Sequence, residues 1–171
     1  MAPGGGLAWL PFSPELAAVG ELAGALGEFG MAGEAGAEQL SPLRPTWLQS
    51  ETDVGRDLGP AARAQVSYKN GAEALQGTPG SVRPDFSIAD VAAVEVKNYD
   101  IESNSAALIK TVADQAIQRA QHLPPGMEQR IVIDIRGQTV SQERQWDITG
   151  AIVARAKGAL SNSSIRFKTR D

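Results

Sequence analysis

The chain has no cysteine. Disulfides, thiolate zinc sites and a cysteine nucleophile are therefore excluded. It has one histidine, His122, so a mechanism that needs two histidines is closed to it. His122 stands just before Leu123-Pro124-Pro125, where a helix is expected to end, and a histidine there is favoured by the helix dipole. No Lys or Arg precedes Arg44, which removes the positive n-region of a secretory signal. No apolar run reaches the length of a spanning helix, because Glu15, Glu21, Glu28 and Glu34 interrupt the apolar N-terminal part. Aromatic residues make up only 5%, yet hydrophobic residues make up 42% of 171 positions. That suffices for one domain core and a flank.

Acidic residues outnumber basic ones, giving a net charge of −4, but unevenly. Residues 1–80 carry four Lys and Arg against nine Asp and Glu; residues 81–171 carry twelve against eleven. From Arg144 onward there are six basic and two acidic residues. A basic tail on a near-neutral domain suits phosphate binding, and it equally suits a solvated helix face.

Gly4-Gly5-Gly6 opens the chain. Ser13-Pro14-Glu15 is a helix start, and Leu16, Val19, Leu22, Leu26 and Phe29 recur at helical spacing. Six glycines between Gly20 and Gly36 weaken that helix. Residues 1–45 are expected to form a helical N-terminal extension or connector. Ser41-Pro42 and Pro45 mark a boundary, with the main domain at 46–171. There, Thr46 or Ser50 can cap a helix from about Trp47 to Leu58, ended by Gly59-Pro60. Ala61 to Lys69 reads as one strand and Asn70-Gly71 as a turn. A helix capped by Ser103 or Ser105 should run to about His122, with Gln115 and Arg119 stacked on one edge of its apolar stripe. Arg130–Arg136 is the clearest strand; a long helix at about 141–160 and a short strand at 164–168 complete the chain. This order predicts an α/β fold, a mixed central β-sheet flanked by helices.

Between residues 81 and 98 a β-hairpin is expected. In its second arm Val94 and Val96 point one way, Glu95 and Lys97 the other. Two charges on one face of an apolar strand need a reason, and a metal site supplies one. Asp85 and Glu95 offer hard oxygen ligands for Mg²⁺ (or Mn²⁺), and Lys97 would stand beside a reacting phosphate. There is a geometric condition. A two-residue link at Ala89-Asp90 sets Asp85 opposite Val94, pointing away from Glu95; a three-residue link or a bulge sets it opposite Glu95.

Arg83-Pro84-Asp85, nine residues, then Glu95-Val96-Lys97 resembles the PD-(D/E)xK signature of restriction-endonuclease-like nucleases. Gly80 to Tyr99 with the following Gln-bearing helix is similar to C-terminal toxin modules of contact-dependent growth inhibition and related polymorphic toxins. The resemblance covers roughly residues 46–168. It implies a restriction-endonuclease-like fold and a metal-dependent endonuclease that cleaves tRNA, the first choice, or DNA. It implies that Asp85, Glu95 and the Val96 carbonyl hold the ion and that Lys97 orients the attacking water or neutralises charge on the phosphate. Glu51 would add an acid from the first helix and Gln115 a polar group for positioning; Asn98, Tyr99 and Arg119 would be candidates for substrate contact. It also implies delivery as part of a larger secreted or cell-surface protein, action in a target-cell cytoplasm without stable membrane insertion, and a cognate immunity protein as partner.

Plainer readings stand beside these. Glu95 and Lys97 make sense as a surface ion pair on an edge strand, Glu51 as an acid answering the macrodipole, and Gln115 as an ordinary helix residue. Glu73 competes with Glu51 for the acidic place but reads as a loop residue. Asp134 is either a further ligand or a polar-face partner of Arg136. Trp47 and Trp146 are expected in the core. The competing functions are a non-catalytic nucleic-acid- or protein-binding module and a small-molecule hydrolase.

Overall fold

The structure, a computed structural model, describes residues 44–170; the helix expected to start at Ser13-Pro14-Glu15 lies outside them. Helix α1 spans Trp47–Leu58, and the Thr46 side chain accepts the Gln49 N–H at 3.1 Å as its N-cap. Of the two expected caps, the structure uses Thr46. Gly59, at φ 76°, ends the helix in a conformation that suits glycine.

The stretch expected to be one strand is two. β1 is Ala62–Ala64 and β2 is Ser67–Lys69, separated where Gln65 takes φ 57°. That left-handed residue turns the chain, so β2 pairs with β3 (Ala72–Ala74) in a separate two-stranded sheet. Asn70 and Gly71, at φ 52° and 82°, form the turn between β2 and β3, the left-handed pair a two-residue hairpin requires. Glu73, expected in a loop, is in β3 and pairs with Arg63.

β4 (Phe86–Ile88), β5 (Ala92–Lys97), β6 (Glu128–Asp134) and β7 (Ile165–Lys168) complete the main sheet, in the order β1-β4-β5-β6-β7. The β1–β4 and β4–β5 pairs are antiparallel; β5–β6 and β6–β7 are parallel. Parallel neighbours need crossovers. Helix α2 (Ile101–Ala120) makes the first; helix α3 (Gln142–Arg155) and a 3-10 turn at Asn162–Ser164 make the second. α2 starts earlier than expected because Asp100, not a serine, accepts the Ser103 N–H; non-helical Asn104 kinks its first turn. α3 is capped by Ser141 and stops at Arg155, short of the expected end.

Alternation along the strands splits the core. Val94, Val96 and Val132 pack with Val54, Leu58 and Phe86 on the α1 face. Ile131 and Ile133, on the opposite face, pack with Leu108 and Val112 of α2 and Ile148 and Ile152 of α3. A third cluster joins Ala93 to Tyr68, Val82 and Leu123. Trp47 and Trp146, expected in the core, are 66% and 67% exposed. Each is on the outer side of its helix, where smaller inner residues already fill the sheet contact. No helix among the described residues is long and apolar enough to cross a membrane.

Candidate active site

The β4–β5 hairpin decides the geometry. Phe86 pairs with Val94, Ser87 with Ala93 and Ile88 with Ala92, which leaves a three-residue link of Ala89, Asp90 and Val91. Ala89 takes φ 44°, and the Val91 N–H bonds to the Ile88 carbonyl. One step beyond Phe86 and Val94, this register sets Asp85 opposite Glu95, on the same face. The sheet ladder stops there because Pro84 has no N–H to continue it. The Val96 N–H donates instead to Asp85 Oδ2 at 2.7 Å, and the Asp85 carbonyl accepts from Gln65 N at 2.9 Å. Asp85 is thus fixed by β5 on one side and by the residue just after β1 on the other.

Glu95 is buried, with 7% of its surface exposed. Its two oxygens have different partners. Lys97 Nζ donates to Oε1 at 2.6 Å, and Arg119 Nη1 to Oε2 at 2.8 Å. Arg119 was a candidate for substrate contact. It is instead 5% exposed, because α2 turns this edge of its stripe onto β5. Its Nε donates to Gln129 Oε1 at 3.1 Å, and Gln129 Nε2 donates to the Ala116 carbonyl at 2.9 Å. Among the described residues the buried donor Arg119 Nη2 has no hydrogen-bond partner. Burial pulls the Arg119 guanidinium below its ordinary pKa, against the opposing pull of Glu95 and Asp85; at neutral pH it keeps its charge.

The acids are close enough to feel one another. Burial, then the Glu95 charge, and more weakly Glu51, push Asp85 up to about 6, against the Val96 hydrogen bond and Lys97. Burial and then Glu95 also raise Glu51, while Lys97 opposes them. Glu51 therefore belongs electrostatically to the same group as Asp85, Glu95 and Lys97. Gln115, one turn before Arg119 on α2, has a buried Oε1 that accepts no hydrogen bond from the described residues.

Asn98 has a different task. Its Nδ2 donates to the Pro45 carbonyl at 2.6 Å and to Ser50 Oγ at 2.8 Å, while Oδ1 accepts from Arg44 Nε and Nη2 at 2.8 and 2.6 Å. Its amide ties the start of α1 to the end of β5. The Tyr99 ring packs against the α2–α3 core, and its carbonyl accepts from Gln138. Asp134 is no ligand candidate. It and Asp53 flank Arg136, with Nη2–Oδ2 at 2.6 Å and Nη1–Oδ2 at 2.8 Å respectively. His122 Nδ1 accepts from Asn70 N at 3.4 Å, a long bond at the α2 end.

Sequence reasoning missed Gln129 and Asp53. Gln129 had a signal: it alternates with Ile131 and Ile133 along β6, so it faces inward as a polar residue in need of partners. Asp53 had none, because its partner Arg136 is 83 residues away.

The donor chemistry fits a hard divalent cation. Among the described residues the Asp85 carboxylate accepts only the Val96 N–H and is crowded by like charge, which a cation would relieve. Among the described residues no three His, Asp or Glu side chains converge into a finished cage. Both oxygens of Glu95 are occupied by Lys97 and Arg119. No family model, curated protein or solved structure matches the chain.

Proposed function

We propose that residues 46–171 form a metal-dependent endonuclease of restriction-endonuclease-like fold, the toxin module of a larger delivered protein, which hydrolyses phosphodiester bonds in tRNA or DNA. The observation that carries this reading is the hairpin register. It brings Asp85 opposite Glu95 and keeps Lys97 on the same face, the condition the Pro-Asp…Glu-x-Lys spacing imposes.

Asp85 and Glu95 would hold the cation, with Glu51 near enough to help orient water. A bound Mg²⁺ or Mn²⁺ supplies a Lewis acid for the phosphoryl oxygen and lowers the pKa of water. Lys97 offsets the charge that builds on the phosphate as the water oxygen bonds to phosphorus and the leaving oxygen departs. The buried Gln115 oxygen can accept a proton donor from water or a nucleotide. Beside α1, a cleft of about 650 Å³ is lined by Arg56, Arg136, Lys168 and Arg170, with Asp53 and Asp57 among them. Arg56, Arg136 and Lys168 are ion-paired with these acids, and Arg170 adds a further cation that suits a polynucleotide backbone. An immunity protein covering this domain belongs to the same proposal.

The test is incubation of the full chain with plasmid DNA and, separately, total tRNA, in Mg²⁺ or EDTA, beside Asp85→Ala. Mg²⁺-dependent cutting of one polymer, lost on substitution, is the expected result and identifies the substrate. Cutting of neither by a folded chain would favour a non-catalytic binding module. Cutting that survives in Asp85→Ala would place the chemistry elsewhere.

A further inference from the structure

We propose that Arg119 and Gln129 are positioning residues that hold Glu95 permanently by one oxygen, while its other oxygen exchanges between Lys97 and a divalent cation. Entry of the cation then frees the Lys97 amine for the phosphate. This rests on the metal-dependent reading above.

The two ends of Glu95 are not equivalent. Arg119 is the more buried partner, its side chain 6% exposed against 13% for Lys97. The guanidinium is anchored twice, to Glu95 Oε2 and to Gln129 Oε1, and Gln129 is itself anchored to the Ala116 carbonyl one turn back on α2. Withdrawing Arg119 would leave a charge and an amide oxygen buried without partners, a large penalty. Lys97 has no such chain behind it. Its ammonium is a compact charge on a flexible stem, and among the described residues its one hydrogen bond is to Glu95 Oε1. Leaving that oxygen breaks one hydrogen bond and strands no second partner. The face it shares with Asp85 is the face where a cation between the two carboxylates would replace the ammonium.

The Lys97–Glu95 pair is then a resting arrangement. It keeps the acidic group compatible with a folded chain before the cation arrives, and it couples cation entry to release of the lysine. The Arg119–Gln129 arm keeps Oε2 in place throughout, so only one degree of freedom of the carboxylate is used.

Calorimetric titration of the full chain with Mn²⁺, without substrate, reads this directly. Lys97→Met removes a competitor for Oε1, and affinity should rise several-fold. Arg119→Met removes the same unit of charge from the other oxygen, yet affinity should fall about ten-fold, as for loss of a supporting partner around a metal ligand. Gln129→Met changes no charge and should also weaken binding, which keeps the test alive if Arg119→Met does not fold. Arg119→Lys, charged but without the fork, should fall between wild type and Arg119→Met. Tightening by Arg119→Met to match Lys97→Met would overturn the proposal, since both cations would then be simple counter-charges. Unchanged affinity in a folded Gln129→Met would overturn the anchoring arm. Absence of any Asp85-dependent Mn²⁺ binding in the wild type would sink the metal reading and this inference with it.

Discussion

Asp85 is held against its own charge. Burial, Glu95 and Glu51 outweigh the Val96 hydrogen bond and raise its pKa from 3.8 to about 6. Between those values the folded chain binds more protons than the unfolded one, so stability falls as pH rises through that window. Above pH 6 the loss is complete. Asp85→Asn keeps an acceptor for the Val96 N–H and removes the charge. In EDTA at pH 7.5 it should stabilise the chain by about 2 kcal/mol, allowing for solvent screening, and the gain should vanish by pH 4. Urea unfolding across that range checks it. An equal gain at pH 4 and 7.5 would show that charge is not the cause. The same residue that costs stability is the one the proposed activity depends on, a common bargain at functional sites.

At the scale of elements, the seat of α1 on the hairpin positions Glu51 relative to Asp85. Gly55 makes that approach possible. A Cβ at position 55 would lie 2.8 Å from Phe86 Cζ and 2.9 Å from Cε1, and Phe86 is the strand residue directly after Asp85. Gly→Ala inside a helix ordinarily stabilises by up to about 1 kcal/mol. Here overpacking of about 1–3 kcal/mol should win. Gly55→Ala is expected to lower Tm by roughly 3–8 °C, and adding Phe86→Leu should recover most of the loss. A rise in Tm for Gly55→Ala alone, by calorimetry, would mean that α1 lifts freely from the hairpin. The opposite end of α1 is tied by Asn98 to Pro45 and Ser50, so the helix that carries Glu51 is fixed at both ends of its contact with the sheet.

At the scale of the whole molecule, α1 is joined to the far end of β6 by ions. Arg136 bridges Asp53 and Asp134, and all three are buried. Burial alone would raise both acids, but hydrogen bonds, those of Arg136 foremost, hold both below the usual carboxylate range. Arg136→Met would strand two buried carboxylates and should cost about 3–5 kcal/mol, read as a lower urea midpoint. The cost should be little altered by salt, since buried pairs are poorly screened. A salt-sensitive loss under 1 kcal/mol would show the network to be a surface feature. Because the network joins two elements 83 residues apart, it shapes the basic cleft beside α1 as well as the stability of the sheet.

Much of this architecture is local and was legible. A cap at Thr46 or Ser50, Gly59 as a stop, the Asn70-Gly71 turn and the alternation of Val94 and Val96 against Glu95 and Lys97 all act within one turn or one strand, so sequence alone made them legible, while the structure chose Thr46 and added Ser141 as the cap of α3. Sequence also determined that Asp85 and Glu95 could meet, and stated the link length on which that depended. Only the tertiary structure chose the three-residue link, broke the expected strand at Gln65, left Trp47 and Trp146 in solvent, and turned Arg119 inward onto Glu95. It likewise spent Asn98 on α1 and paired Asp53 with Arg136. Those outcomes depend on which distant surfaces come together. Periodicity within a segment names the face a side chain is on, but the partner waiting at that face is set by register and packing between segments.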